Sequence, residues 1–326
     1  MHVLVTGGAG FIGSHFVRSL VSGVYPALAG EVRVLDLLTY AGRRENLAGC
    51  LSDSAVELVV GDIRDPDAVA KAMVGVDLVV HFAAESHVDR SITGAADFVS
   101  TNVVGTQVLL QAALDAGVRK FVHVSTDEVY GSIAEGSWPE TDPLLPNSPY
   151  SASKAGSDLL ARSYFRTHGL DVSITRCSNN YGPFQFPEKV IPLFVTNLLD
   201  DRKVPLYGDG LNVRDWLHVD DHCRGIALVA EGGRAGEIYN IGGGTELTNR
   251  RLTELLLEAV GRDWTSVEPV QDRKGHDRRY SVDWSKIHSE LGYSPQHTFD
   301  QGLAETVAWY RDNRPWWEPI KSGVTA

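Results

Sequence analysis

Three glycines at intervals of three, Gly7, Gly10 and Gly13 in HVLVTGGAGFIGSHFVRSL, constrain this chain more than any other feature. A short β-branched strand precedes them and an amphipathic helix follows, and Gly8, Gly10 and Gly13 also satisfy G-x-G-x-x-G. Side chains are excluded there when a strand turns sharply into a helix, the backbone must approach a pyrophosphate and the helix must pack close to the strand. The free N–H groups at the helix start then face the phosphates. The pattern alone is weak evidence, because a purely structural turn has the same composition. Here a second strand, EVRVLD, ends on Asp36, about 20 residues further on, where a carboxylate hydrogen-bonds an adenosine ribose and repels a 2′-phosphate. The segment predicts a dinucleotide site that takes NAD+ over NADP, with Arg43 and Arg44 just downstream as the residues that weigh the other way.

The alternation continues. VELVVGD reads as a third strand closing on Asp62, DPDAVAKAM as a helix opened by an acid and a first-turn proline, and DLVVHFAAES as a fourth strand. A long helix over 96–116 carries Asn102, and RKFVHVS is a further strand. Strands alternating with helices predict an α/β fold, a Rossmann-type doubly wound parallel sheet with ligands outside the carboxyl ends of its strands. Asp62 and Ile63 are placed to meet an adenine, although Asp62 also suits a plain turn or cap.

With 326 residues, a large domain with a smaller companion is expected. After DVSITRCSNNYGP the rhythm weakens and proline recurs at Pro183, Pro187, Pro192 and Pro205. The expected division is a nucleotide domain over 1–179 with a returning segment at about 213–242, a mixed α/β substrate domain over about 180–212 and 243–320, and a mobile tail over 321–326. AETVAWYRDNRPWW reads as a helix with an aromatic anchor, in which Trp316 and Trp317 pack.

A net charge of −12 disfavours nucleic-acid binding, so an anionic ligand needs a local basic pocket. Apolar runs are strand length, short of a membrane span, and the chain passes from Met1 into a strand without a signal core, so a cytoplasmic location is expected. Cys50, Cys177 and Cys223 are few, odd in number and far apart, which predicts buried free thiols; neither a disulfide framework nor a metal-ligand cluster is expected.

The candidate active centre is RKFVHVSTDEVYGSIAEGSWPETDPLLPNSPYSASK, Arg119 to Lys154. Tyr150 and Lys154 are spaced i, i+4 and share a helix face. They suit an ordinary surface pair; beside a nucleotide fold, a nearby ammonium and a positive nicotinamide favour the phenolate and make Tyr150 a base for an alcohol being oxidised. Ser125 to Glu128 fits a capping box. Adjacent acids on a strand point to opposite faces, so Asp127 and Glu128 serve one ligand only if the chain turns there, and Gly131 permits a short turn.

TGGAGFIGSHF and the Tyr150/Lys154 pair resemble the extended short-chain dehydrogenase/reductase superfamily, and STDEVYG is similar to the dTDP-glucose 4,6-dehydratases within it. LTYAG, AAESHVDRSI, CSNNYGPFQFPEKVIPL, GDGLNVRDWLHVDDH, YNIGGGTELTN and DRKGHDRRYSVDWSKI extend the resemblance over nearly the whole chain. Arg43, Arg44 and Lys274 depart from it.

The resemblance implies a tightly bound NAD+ regenerated in each cycle. Tyr150 would take the C4 hydroxyl proton of the sugar, Lys154 would hold the ribose and lower the Tyr150 pKa, and Thr126 would hydrogen-bond the C4 oxygen. Glu128 would then remove the C5 proton while Asp127 protonates the departing C6 hydroxyl. Phe11, Ile12, Leu37, Ala83, Asn102 and Asn179 would join the residues above around the cofactor. Ser86 would lie near the hexose, and Asn180, Glu188, Lys189, Arg214, Asn249, Arg273 and His276 around the diphosphate, with Pro205 and Tyr207 at the base. A homodimer through the helices after Val103 and Ser151 is also implied.

Overall fold

A computed structural model describes residues 1–323. Its main sheet is built from β1 (His2–Thr6), β2 (Glu31–Asp36), β3 (Val56–Val60), β4 (Leu78–His81), β5 (Lys120–Thr126), β6 (Val172–Cys177) and, later in the chain, Ile238–Ile241. The last of these follows β7 (Asn179–Tyr181), β8 (Val204–Tyr207) and β9 (Val213–His218), and is therefore β10. The sheet order is β10-β6-β5-β4-β1-β2-β3, and every pairing is parallel. Buried on both faces, its central strands read as continuous apolar runs; Val3, Leu4, Val5, Val79 and Val80 are fully enclosed. Helices α1 (Phe11–Val21), α2 (Pro66–Met73), α3 (Val88–Thr93), α4 (Ala95–Phe98), α5 (Thr106–Asp115) and α6 (Pro149–His168) arise between the strands. Asp65 caps α2, accepting from the Asp67 and Ala68 N–H groups, with Pro66 in the first turn.

The long helix expected over 96–116 is interrupted. Val99–Gly105 winds as a π-helix between α4 and α5, and its wider turn rotates Asn102 into the protein.

The second half builds a smaller body from α7 (Val190–Leu199), β7, β8 and β9, followed after α8 (Val219–Gly232) by β11 (Glu246–Thr248), α9 (Asn249–Val260) and β12 (Val267–Val270). β9 lies between β7 and β11 in a three-stranded sheet, and β12 pairs with β8. The returning segment expected at 213–242 thus divides: β9 stays with the small sheet, and its Trp216 packs in the second core, while α8 and β10 rejoin the large one. The segment expected to remain in the substrate domain divides too, since α10 (Ser285–Leu291) and Tyr293 place Ile287 and the Tyr293 ring in the large core. α11 (Phe299–Asp312) and α12 (Arg314–Lys321) close the second core around Trp317, which is fully buried; the Trp316 indole donates to Asn46 Oδ1 at 2.9 Å. Lys321, expected in a mobile tail, is held in α12, its Nζ donating to Asn197 Oδ1 at 2.8 Å; residues 324–326 lie outside the described residues. Among the described residues no helix is long and apolar enough to cross a membrane.

Candidate active site

A cavity of about 730 Å³ opens at the carboxyl ends of β1, β2, β4, β5 and β6. Its floor is the glycine turn. Gly7 has φ +67°, and a Cβ there would lie 2.6 Å from the Ala83 nitrogen; a Cβ on Gly13 would lie 2.3 Å from the Gly7 carbonyl oxygen. These two glycines are demanded by the protein's own packing. Gly10 differs: a Cβ there would meet only the Gly7 oxygen, at 3.3 Å, so its missing side chain opens the floor toward a ligand. Gly10 is also the N-cap of α1, with no side chain capping the first turn and no acid in it, which leaves the helix N–H groups and dipole available to an anion.

The other cofactor candidates Phe11, Ile12, Asp36, Leu37, Asp62, Ile63, Ala83, Tyr150, Lys154 and Asn179 line the same cavity. Asp36 is fixed by accepting from the Ala9 N–H at 2.9 Å and the Leu38 N–H at 2.8 Å. Asp62 is clamped by Arg64 at 2.6 Å, which holds its carboxyl below the usual range. Neither Arg43 nor Arg44 lines the cavity, and Arg43 pairs with Glu45 at 3.4 Å. The Asn179 Oδ1 is buried without a partner. An open glycine floor, an uncapped helix start, a carboxylate at the end of β2 and an orphaned amide oxygen fit a dinucleotide.

Asn102 is the exception. Its Oδ1 accepts from the Glu85 N–H at 2.8 Å, and its Nδ2 donates to the Glu85 carbonyl at 3.0 Å and to Ser153 Oγ at 2.9 Å. Fully committed, and not among the cavity's lining residues, it holds the loop after β4 against α6; the preceding residue, Thr101, faces the cavity instead. Asn102→Ala is expected to cost about 2–3 kcal/mol through the unpaired groups it leaves, measurable as a lowered melting temperature.

The expected active centre comes together on two short elements. At the end of β5 the chain turns into a single 3₁₀ turn, Asp127–Tyr130, closed by Gly131 at φ +92°. Thr126, not Ser125, is its N-cap, its Oγ1 accepting from the Glu128 N–H at 3.3 Å and donating to Asp127 Oδ1 at 3.2 Å. The turn brings both adjacent acids to one cavity. Opposite them Ser148 caps α6, and the helix presents Tyr150 and Lys154 one turn apart. Ser151 Oγ donates to Glu128 Oε2 at 3.3 Å, and Lys154 Nζ donates to the Val124 carbonyl at 2.8 Å.

Burial drives the electrostatics. It pushes the Asp127 carboxyl well above its ordinary value, with Glu128 and Asp215 adding repulsion, and Asp127 Oδ2 has no partner. Glu128 is raised by burial too, but Arg273, Arg214 and Lys189 oppose the rise. This basic trio supplies positive charge beside Glu128 in a chain that is acidic overall. The Tyr150 phenol is pushed up by burial and then by Glu128, Cys177 and Asp127, with Thr126 acting against the rise. Burial likewise lowers Lys154, against which Asp158 and Cys177 act.

Ser86, Thr126, Asn180, Glu188 and Lys189, expected at the substrate, line the cavity; Lys189 Nζ donates to the Ser86 carbonyl at 2.8 Å, and Glu188 pairs with Arg90 at 3.0 Å. Pro205, Tyr207, Arg214, Asn249, Arg273 and His276 are not among its lining residues. Arg214 stacks over Tyr280 at 4.1 Å and donates to the Val213 and Asp277 carbonyls, and Arg273 lies 3.5 Å from Asp89. Tyr40 and Arg90, which stacks 3.8 Å over the Tyr40 ring, also line the cavity. Neither is among the site residues expected from sequence, although LTYAG and AAESHVDRSI contain them. Away from the cavity, His218, His297 and Glu305 bring ligand atoms within 4.8 Å of one another. His218 Nδ1 accepts from the Asp220 N–H at 3.4 Å, and its ring stacks on that of His297 with centroids 4.1 Å apart.

Residues 4–306 match the family model for GDP-mannose 4,6 dehydratase. A dTDP-glucose 4,6-dehydratase of Streptomyces antibioticus is 65% identical over 323 residues, 98% of this chain and 96% of that protein. The chain belongs to the dTDP-glucose 4,6-dehydratase family. The DesIV dTDP-glucose 4,6-dehydratase of Streptomyces venezuelae, solved with NAD bound, superposes with a TM-score of 0.97 at 68% identity, covering 98% of this chain and 100% of that one. The Thermus thermophilus UDP-glucose 4-epimerase, also solved with NAD, gives a TM-score of 0.88 at 34% identity over 96% and 100% of the two chains. The parallel sheet is therefore common to dehydratase and epimerase.

Proposed function

We propose that the chain converts dTDP-glucose to dTDP-4-keto-6-deoxyglucose and water. The observation that carries this reading is the pair of adjacent acids, Asp127 buried and Glu128 partly buried, turned into the cavity that Tyr150 and Lys154 share. Alcohol oxidation alone needs only the Tyr–Lys side. NAD+, when bound, supplies the acceptor for the C4 hydride and returns that hydride at C6.

The chain's residues move the protons. Tyr150 accepts the C4 hydroxyl proton, Thr126 orients that oxygen, and Lys154 supplies the positive charge that makes the phenolate accessible. Once C4 is a ketone the C5 hydrogen is acidic, and Glu128 removes it. Asp127, kept protonated by burial and by its neighbour, donates its proton to the leaving C6 hydroxyl. The two carboxyls divide the work because only Glu128 has three cations easing its ionisation. Glu128 then returns its proton to C5.

The nucleotide lies toward Arg214, Arg273 and His276, with Pro205 and Tyr207 at the base. Exposed Val104 and Leu159, on the two helical stretches expected to pair, support a homodimer, and three buried free thiols support a cytoplasmic setting. Incubation with dTDP-glucose is expected to yield the 4-keto product, seen by its absorbance in alkali. Formation of dTDP-galactose alone would overturn the reading, and a parallel incubation with UDP-glucose measures the preference for the base.

A further inference from the structure

Behind the active site, out of reach of the cavity, runs a chain of buried polar groups that none of the roles above employs. Asp158 stands one turn beyond Lys154 on α6, Arg176 on β6, Tyr130 at the end of the 3₁₀ turn and Asn240 on β10. The Arg176 Nε donates to Asp158 Oδ2 at 2.9 Å and its Nη1 donates to the Tyr130 hydroxyl at 2.8 Å. That hydroxyl donates to Asn240 Oδ1 at 2.9 Å, and Asn240 Nδ2 donates to the Trp138 carbonyl at 2.9 Å. His123, next to the Val124 whose carbonyl holds Lys154, places its Nε2 3.3 Å from Asp158 Oδ1. The Tyr130 ring is stacked on Trp138, with the Arg176 guanidinium 4.7 Å from its centre on the same network. All four linked side chains are at most 3% exposed.

A buried ion pair is a poor way to gain stability, since desolvation consumes most of its attraction. What it provides is fixed geometry, and this one joins the two elements whose separation matters. One end is the helix of Tyr150 and Lys154; the other is the four-residue turn that begins Asp127-Glu128 and ends at Tyr130. We infer that Asp158, Arg176 and Tyr130 are positioning residues that hold the acid pair in register with the Tyr–Lys pair, so that a sugar oriented for oxidation at C4 is already oriented for elimination at C5 and C6. The inference rests on the roles given under the proposed function.

Tyr130→Phe keeps the ring stack and the ion pair and removes only the hydroxyl that ties the turn to them. The cofactor-loaded variant is expected to show kcat about tenfold lower, as for a small misplacement of reacting groups. The fraction of its cofactor that is reduced during turnover of dTDP-glucose should rise several-fold, because elimination slows more than oxidation. A residue that merely supports the fold would lower the melting temperature or the amount of active protein and leave that fraction unchanged. An unaltered kcat, or a lower kcat with an unaltered reduced fraction, overturns the inference. If Tyr130→Phe does not fold, Asn240→Ala, which removes the hydroxyl's acceptor from the other side, is read in the same way, and a reduced fraction that does not rise there overturns the inference equally. Failure of the wild-type protein to make a 4-keto sugar would instead sink the functional reading, so the two failures are distinct.

Discussion

Asp127→Asn will fill with reduced cofactor when dTDP-glucose is added, and will lose water from the sugar about 10²–10³-fold more slowly, the usual range for removing a general acid. The asparagine retains an oxygen for the Thr126 hydroxyl, which now donates to Asp127 Oδ1, so the turn is preserved. Tyr150 and Lys154 are untouched and oxidation at C4 proceeds; what is missing is the proton for the C6 hydroxyl. Rapid-mixing absorbance of the reduced nicotinamide measures this directly. A variant with no reduced cofactor and no exchange at C4 would show that the division of labour is wrong.

The same substitution is expected to stabilise the protein at neutral pH. Burial first, then Glu128 and Asp215, hold the Asp127 carboxyl well above its ordinary 3.8. Unfolded, the group releases its proton near 3.8; folded, it retains it to higher pH. A raised carboxyl contributes its stability in full below the unfolded value and loses it as pH rises through the folded value. Asparagine has no such dependence. Its advantage in thermal unfolding should grow as pH rises above about 4 and vanish in acid, which is the pattern expected when activity is obtained at a cost in stability.

Local pattern carried the nucleotide half of this fold. The glycine turn, Asp36 at the end of β2 and the strand–helix alternation each depend on neighbours in sequence, and each lies where the pattern put it. The details that escaped depend on distant partners. Asn102 and Thr101 differ by one residue, and only the π-turn decides which faces the cavity; a helix of regular pitch is the natural expectation for that run. Ser125 and Glu128 have capping-box spacing, yet β5 continues through Thr126 because that residue pairs with Cys177 on β6, which moves the cap one position on. β9, VRDWLH, is buried along nearly its whole length as a main-sheet strand would be, and nothing local says that β7 and β11 will claim it. For Tyr150 the helix spacing was legible and the electrostatics were not. The upward push on its phenol comes from burial and from acids that only the fold brings close.

That last point separates two variants. Tyr150→Phe is expected to lower turnover about 10³-fold or more, within the upper range for a general base, with no reduced cofactor at any pH because the C4 proton has nowhere to go. Lys154→Met keeps the phenol and removes the buried ammonium. Since burial and the two acids already push the phenol up, losing the nearby positive charge pushes it higher, and a phenolate base is then available only in more alkaline solution. Its kcat/KM should therefore start far below that of the parent and climb with pH through a limb displaced to higher values, whereas the Tyr150→Phe profile stays flat. A Lys154→Met limb that stays at the parent's pH, at lowered kcat/KM, would mean that Lys154 serves only to hold the cofactor. A displaced limb in Lys154→Met would show that the lysine acts on the proton transfer, through the charge of its ammonium.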